Sequence, residues 1–105
     1  MEIWKDVKGY EELYQISNFG RVKTVNKDYI KKQYERPDGY VQVCLCKNGK
    51  VVTRKIHVLV AQAFIPNPLN LPEVNHKDEN KAHNSVDNLE WCDTIYNKNY
   101  RYSKL

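Results

Sequence analysis

The sequence predicts an α+β fold in which small antiparallel sheets come first and a helix with a second small unit follows. Up to residue 55, short apolar stretches alternate with polar residues and are separated by glycine-containing turns. The apolar period then changes to that of a helix. From residue 73 onward the pattern is that of a strand, a loop, a second strand and a helix. We therefore expect a β-rich region 1–55 and a unit 56–105 that pack together.

The length and composition of the chain suit one compact domain. A chain of 105 residues can bury one modest core. No apolar run reaches the roughly eighteen residues of a membrane span, and no charged-then-apolar leader opens the chain. We therefore expect a soluble, cytoplasmic protein that binds no membrane.

The first predicted element is a set of small antiparallel strands within residues 2–25. Tyr14, Ile16 and Val22 alternate with polar neighbours, as the side chains of a half-buried strand do. Residues 17–20 have the composition of a tight turn. The segment is therefore expected to form a small sheet with one buried face.

A β-hairpin is predicted next. Residues 37–39 are a turn signal, and residues 40–46 have the composition of a strand. The pair Asn48-Gly49 closes a hairpin onto residues 50–53. Four cations are expected to cluster around the hairpin end, namely Lys47, Lys50, Arg54 and Lys55.

Residues 56–64 are predicted to form a helix, because their apolar positions follow the helical period. Pro66 ends it. His57 lies at its start, where we expect a structural hydrogen bond outside the active site. The apolar face is expected to consist of Ile56, Leu59, Val60, Ala63 and Phe64.

The remainder of the chain is predicted to form a strand over residues 73–75, a loop over 77–87 and a strand over 88–92. Asp93 can cap a helix that begins at Thr94, because its carboxylate accepts hydrogen bonds from the free amide groups of the first turn. Within the loop, Asp78, Asn80 and Asn84 are expected to form turns. His83 is expected to be an exposed loop histidine, and a contact with phosphate is the alternative.

On the last predicted helix, three polar side chains share one face. Asn97, Arg101 and Lys104 lie at positions i, i+4 and i+7. A metal ligand and two phosphate-binding cations would then lie side by side. The alternative is that the final turn frays and that its two cations are only solvated.

Positive charge is concentrated in the middle third of the chain. The net charge is +4, but residues 21–55 hold ten basic residues against three acidic ones. Such a stripe indicates a polyanion binder, although a solvated charged face has the same composition. The expected phosphate contacts of this stripe are Arg21, Lys23, Lys27, Lys31, Lys32, Lys47, Lys50, Arg54 and Lys55.

The cysteines lack the spacing of a metal site or a disulfide framework. Cys44, Cys46 and Cys92 form no CxxC pair and leave an odd count. We expect reduced, buried and inert thiols and no structural zinc, while a metal thiolate site is the alternative that the spacing does not favour.

Three side chains are suited to phosphodiester hydrolysis, which requires a base for water and positive charge at the phosphoryl oxygens. The imidazole of His76 titrates near neutral pH and can act as the base. Asn75 and Asn97 can present amide oxygens to a hard divalent cation such as Mg²⁺. Asn75 and His76 are adjacent, so on a strand their side chains point to opposite faces.

These motifs resemble the HNH endonucleases, and within them the homing endonucleases of phage and intron origin. The resemblance to the catalytic module lies in IHVLVAQAFIPNP, EVNHKDENK and NSVDNLEW, followed by Asn97. The opening EIWKDVKGYEELYQISNFGRVKT is similar to the small N-terminal module that often precedes it. The resemblance implies a ββα-metal fold for residues 73–102 and a metal-dependent endonuclease that cuts duplex DNA. Mg²⁺ is the expected cofactor, with Mn²⁺ as the alternative.

The resemblance also implies a role for each motif residue. His76 matches the general base, and Asn88 matches the central asparagine that hydrogen-bonds across the loop and holds the histidine in place. Asn97 matches a metal ligand. Asn75 matches the position before the histidine, which is often aspartate in the family, so we expect a more weakly bound cation.

Three hypotheses about function follow. The first is an endonuclease whose single site cuts one strand, so that a monomer nicks duplex DNA, with the oligomeric state left open. The second, favoured by Asn75, is a DNA-binding accessory module of a mobile element with weak or no catalysis. The third, favoured by the eight tyrosines, is an RNA or single-strand binder.

Overall fold

The computed structural model describes residues 1–93. The helix predicted to begin at Thr94 therefore lies outside the described residues, together with Asn97, Arg101 and Lys104. Within the described part, three small antiparallel sheets and one α-helix follow each other along the chain. The predicted α+β class is confirmed.

The first sheet contains the strands β1 (Trp4–Asp6), β2 (Tyr14–Ser17) and β3 (Val22–Thr24) in that spatial order. Both pairs are antiparallel, as predicted. Ile16 and Val22 are opposite each other and fully buried. The alternating apolar pattern therefore forms one buried face.

The second sheet contains the strands β4 (Tyr34–Glu35), β5 (Val41–Lys47) and β6 (Lys50–Lys55), again antiparallel. The predicted hairpin corresponds to β5 and β6. Strand β4 was not predicted, because two exposed residues are too few to form an alternating pattern. The hydroxyl of Tyr14 accepts a hydrogen bond of 3.0 Å from the Cys46 amide, which joins the first sheet to the second.

The four hairpin cations do not form one cluster. Lys47 pairs with Lys50 beside the turn, whereas Arg54 pairs with Val43 and Lys55 follows at the opposite end of β6. Strand residues rise by about 3.4 Å each, so Lys50 and Arg54 are separated by roughly 14 Å along the strand. The prediction of a cluster at the hairpin end is therefore wrong, because β6 continues two residues further than predicted.

Helix α1 (Ile56–Phe64) has the predicted bounds and lies at the centre of the fold. It contacts strands of all three sheets, so residues from 1–55 and from 56–93 share one core. Ala63 and Phe64, expected on the apolar face, are only partly buried. No helix among residues 1–93 is long and apolar enough to cross a membrane.

The third sheet is the antiparallel pair of β7 (Glu73–His76) and β8 (Leu89–Cys92), joined by a loop that ends in a short 3₁₀ turn, Val86–Asn88. The Lys77 amide donates a 2.8 Å hydrogen bond to the Asn88 carbonyl and closes the loop at its base. The two predicted strands and the loop between them are therefore present.

The three cysteines are free thiols. Cys92 is buried, and burial raises the pKa of its thiol to about 11, so this thiol stays protonated at neutral pH. Cys44 is half-buried and Cys46 is exposed. The expectation that all three are buried is met only by Cys92, because Cys44 and Cys46 alternate with the buried Val43 and Leu45 and Cys46 lies next to the hairpin turn.

Candidate active site

The third sheet places the two adjacent candidate residues in different surroundings. His76 is opposite Leu89, and Asn75 is opposite Glu90. Asn75 Nδ2 donates a hydrogen bond of 3.1 Å to Glu90 Oε1. Both candidate side chains are buried, with exposed fractions of 6% for Asn75 and 5% for His76.

His76 is held by an asparagine of the following loop. Its Nε2 lies 2.7 Å from Asn84 Oδ1. Since an amide oxygen only accepts hydrogen bonds, Nε2 carries the proton and Nδ1 keeps its lone pair. Burial lowers the pKa of His76 below its ordinary value of 6.5, and the contact with Asn84 partly opposes this shift. The neutral tautomer with a basic Nδ1 is therefore the form present at neutral pH.

Asn84 was predicted only to form a turn, and no local pattern indicated its contact with His76. Its position depends on the N-terminal sheet. Gly20, with φ of +90°, approaches so closely that an added Cβ would lie 3.0 Å from the Asn84 carbonyl oxygen. The Val86 amide also donates a 2.9 Å hydrogen bond to the Asn18 carbonyl. The turn between β2 and β3 thus supports the loop that orients His76.

Asn88 makes the predicted hydrogen bonds across the loop. Its Nδ2 donates to Asp78 Oδ1 and to the His83 carbonyl, each at 2.9 Å, and its Oδ1 accepts from the Asp78 amide at 3.2 Å. Among the described residues, the side chain that hydrogen-bonds to the His76 ring is Asn84 instead, whose Oδ1 accepts the bond. Asn88 therefore stabilises the loop and acts on His76 only indirectly.

His83 is an exposed loop histidine, as expected. Its Nδ1 lies 2.7 Å from Asp78 Oδ2. This hydrogen bond is the main reason why the pKa of Asp78 lies far below its ordinary value. Asp78 therefore remains ionised and joins His83 to Asn88 within the loop.

His57 lies against the candidate base, contrary to the prediction that it is outside the site. Its ring centroid is 4.8 Å from that of His76 and 5.0 Å from that of Tyr40, on which it stacks. Its Nδ1 is buried and has no hydrogen-bond partner among the described residues, so this nitrogen does not make the structural hydrogen bond predicted for the residue. Burial lowers the pKa of His57 to about 3. The contact is tertiary, so spacing along the chain could not reveal it.

Two lysine amines lie close to the ring of Tyr40, which also contacts the candidate base. Lys55 Nζ lies 4.8 Å and Lys81 Nζ 4.7 Å from the centre of the Tyr40 ring, which is tilted against His76 at 6.1 Å. Lys81 Nζ also donates a 2.9 Å hydrogen bond to the Asp38 carbonyl. Lys55 was among the expected phosphate contacts, whereas Lys81 was missed because it follows an acidic stretch of loop.

Several other predicted phosphate contacts have partners within the protein. Arg21 forms an ion pair with Glu2, and this hydrogen bond is the main reason why the pKa of Glu2 falls to about 2. Lys23 Nζ lies 3.4 Å from Asp28 Oδ1, and Lys47 Nζ donates a hydrogen bond of 2.8 Å to the Gly9 carbonyl. The amines of Lys31 and Lys32 lie over tyrosine rings. Three further cations are exposed, namely Lys27, Lys50 and Arg54.

The donor atoms at residue 75 fit a hard cation better than a soft one. Because Asn75 Nδ2 donates to Glu90, Oδ1 is the amide atom that can act as a ligand, and hard cations prefer oxygen. Among the described residues, no group of three or more histidine, cysteine, aspartate or glutamate side chains could hold a metal ion. A site at Asn75 would therefore need ligands from substrate, water or the end of the chain.

Comparison with known proteins supports the resemblance predicted from the sequence. The model of the NUMOD4 motif matches residues 2–46. The DNA endonuclease I-HmuI of Bacillus phage SP01 is 42% identical over 88 residues, which cover 84% of this chain and 51% of the relative. The uncharacterized HNH endonuclease L245 of Acanthamoeba polyphaga mimivirus is 47% identical over 81 residues, covering 75% of this chain and 24% of the relative.

A solved structure described as DNA binding and cleavage by the HNH homing endonuclease I-HmuI matches with a TM-score of 0.89 and 39% identity. The match covers 97% of this chain and 59% of that chain. This chain is a relative of the HNH homing endonucleases. This chain spans between about a quarter and a half of the length of the curated relatives it matches. The predicted resemblance to the HNH homing endonucleases is confirmed.

Proposed function

We propose that this HNH relative is a metal-dependent endonuclease that hydrolyses one strand of duplex DNA in each binding event. The observation that carries the proposal is the contact between His76 and Asn84, which leaves Nδ1 of a neutral imidazole as a base. The likeness to I-HmuI, whose solved structure is described in terms of DNA binding and cleavage, supports DNA as the substrate.

The proposed reaction assigns one proton transfer to His76. Nδ1 accepts a proton from water while the water oxygen attacks phosphorus and the bond from phosphorus to the 3′ oxygen breaks. The leaving 3′ oxygen then takes a proton from solvent. Asn84 holds the imidazole in the required tautomer, and Asn88 keeps the intervening loop closed.

Asn75, together with Asn97 from beyond the described residues, is proposed to hold one Mg²⁺, for which Mn²⁺ is the alternative. When bound, such a cation supplies positive charge to the phosphoryl oxygens and to the leaving oxygen. The amines of Lys55 and Lys81 lie near the ring of Tyr40, which in turn contacts His76, and they are proposed to bind phosphate oxygens near the cut.

Region 1–55 is proposed to bind the DNA backbone, and region 56–105 is proposed to be the nuclease module. The contacts proposed for the backbone are those predicted from the sequence, and the exposed Lys27, Lys50 and Arg54 are the first candidates. One site cuts one strand, so we propose nicking by a monomer. Because relatives come from phages and a virus, we propose that this activity takes place in the cytoplasm of a host cell.

The test is incubation of supercoiled plasmid with the protein in Mg²⁺ and in EDTA, with a gel-shift assay on the same DNA. We expect conversion to open circle in Mg²⁺ and none in EDTA. Binding without metal-dependent conversion would support an accessory module instead. Preference for single strands or RNA without cleavage would support the third hypothesis.

A further inference from the structure

Two side chains from neighbouring strands meet beside the proposed cation site. Asn75 on β7 and Glu90 on β8 are direct partners in the antiparallel register. Directly opposed residues of such a pair present their side chains on the same face of the sheet. The hydrogen bond of 3.1 Å from Asn75 Nδ2 to Glu90 Oε1 joins them. The carboxylate of Glu90 is therefore held next to the amide that is proposed to bind the cation.

The hydrogen bond matters because an asparagine is a weak ligand for a divalent cation. Its oxygen carries only a partial charge, and free rotation of the amide would present Nδ2 as often as Oδ1. The contact with Glu90 removes this ambiguity. A negative charge beside the amide, in a half-buried position, also attracts a nearby cation more strongly than a charge fully surrounded by water does.

We propose that Glu90 is a positioning residue for the cation: it orients Asn75 and supplies the negative charge that the amide lacks. The inference rests on the proposed function, because that function requires the cation. It assigns the charge of the site to Glu90, a residue of the NSVDNLEW segment for which the resemblance implied no role. It also accounts for an uncharged side chain at residue 75 without requiring an inactive site.

The pair allows a test in which the two groups are exchanged. Glu90→Gln removes the charge and nearly preserves size. Asn75→Asp/Glu90→Gln restores one carboxylate and one amide to the pair, with the hydrogen bond now donated from β8. Glu35→Gln, on the exposed strand β4, removes the same charge elsewhere and is the matched control. Urea unfolding of each variant monitors the fold.

The readout is the dissociation constant for Mn²⁺, measured by electron paramagnetic resonance on DNA-free protein. We expect about tenfold weaker binding in Glu90→Gln, as for lost outer-shell partners of other metal sites. The dissociation constant of the exchanged double variant is expected to lie within about threefold of the wild-type value. Glu35→Gln is expected to bind Mn²⁺ like the wild type. Plasmid nicking is measured in parallel.

Equal Mn²⁺ affinities of the wild type and Glu90→Gln would overturn the inference, as would failure of the double variant to recover. If the wild type still nicks DNA in Mg²⁺, the proposed function survives either result. A wild type that neither binds Mn²⁺ nor nicks would overturn both. If Glu90→Gln does not fold, Asn75→Asp is compared with the double variant. The inference then predicts tighter binding by Asn75→Asp, and equal affinities would overturn it.

Discussion

At the scale of single residues, Asn84 determines which nitrogen of His76 can accept a proton. The contact of 2.7 Å fixes the hydrogen on Nε2, and the surrounding burial keeps the ring neutral. Neither effect requires a carboxylate, which is the usual partner of a basic histidine. The tautomer and charge of the proposed base are therefore set by one amide oxygen and by packing.

We expect Asn84→Ala to slow single-turnover nicking about tenfold, since loss of one orienting hydrogen bond costs about 1.4 kcal/mol. The matched control is Asn80→Ala in the same loop, whose side chain accepts a hydrogen bond only from the Ala82 amide among the described residues. The control is expected to nick at nearly the wild-type rate. Equal rates for the two variants would show that Asn84 does not orient the base.

The burial of His57 predicts that the free energy of unfolding decreases at acidic pH. Its pKa is about 3 in the folded protein, against an ordinary value of 6.5, so the unfolded chain binds a proton first as pH falls. The contribution of neutral His57 to the stability of the folded protein is therefore complete above about pH 6.5 and is lost as pH falls toward 3. By about pH 5.5 the loss amounts to about 1 kcal/mol.

The measurement is urea unfolding of the wild type and of His57→Phe near pH 7 and near pH 5.5. We expect the wild type to lose about 1 kcal/mol more than the variant over this interval. An equal loss in both proteins would mean that His57 is not buried in its neutral form.

The motif residues and their neighbours differ in how far the sequence could predict them. His76 and Asn75 are adjacent and their motif is local, so their place at the end of a strand was predicted. Asn84 and His57 contact the base through tertiary packing, and a turn-forming asparagine or a helix histidine has many other uses. Those two contacts required the fold.

At the scale of elements, the turn between β2 and β3 supports the loop that follows His76. Gly20 has a positive φ and lies against Asn84, whereas Gly9 has a similar φ of +84° with nothing within 4 Å of its added Cβ. Alanine at either position carries the cost of a left-handed backbone, about 1 kcal/mol. Only alanine at residue 20 also displaces the loop.

We therefore expect Gly20→Ala to destabilise the protein by about 2 kcal/mol and Gly9→Ala by about 1 kcal/mol. Urea unfolding measures both. Nicking by the Gly20 variant is also expected to fall under conditions where it remains folded, while the Gly9 variant keeps its rate. Identical stabilities and rates would refute the support of the loop by this turn.

Elements with a strong period could be predicted from the sequence, and those without one could not. Helix α1 has its predicted bounds because its apolar positions follow the helical period and Pro66 stops it. Strand β4 has two exposed residues, and its pairing with β5 depends on tertiary structure. The length of β6 was underestimated because exposed positions carry little pattern.

At the scale of the whole molecule, the positive charge is divided between internal contacts and open surface. Arg21 is paired with Glu2, whereas Arg54 is exposed on β6. A cation that releases counterions from a phosphate contributes about one unit to the slope of log affinity against log salt. The two arginines are therefore expected to differ, although the sequence counts them alike.

We expect Arg54→Met to reduce this salt slope by about one unit and Arg21→Met to change it little. Fluorescence anisotropy of a labelled duplex over a series of salt concentrations gives both slopes. A larger change for the Arg21 variant would mean that the paired face, rather than the β6 face, contacts the DNA backbone.

The central claim is that His76 is the base of a DNA-cutting site, and single-turnover nicking of supercoiled plasmid in Mg²⁺ tests it most directly. The decisive comparison is between His76→Ala and His83→Ala, which remove a buried and an exposed imidazole joined to the same loop. We predict a fall of at least about a hundredfold for the first variant and a nearly unchanged rate for the second. A folded His76→Ala protein that nicks as fast as the wild type would contradict the claim.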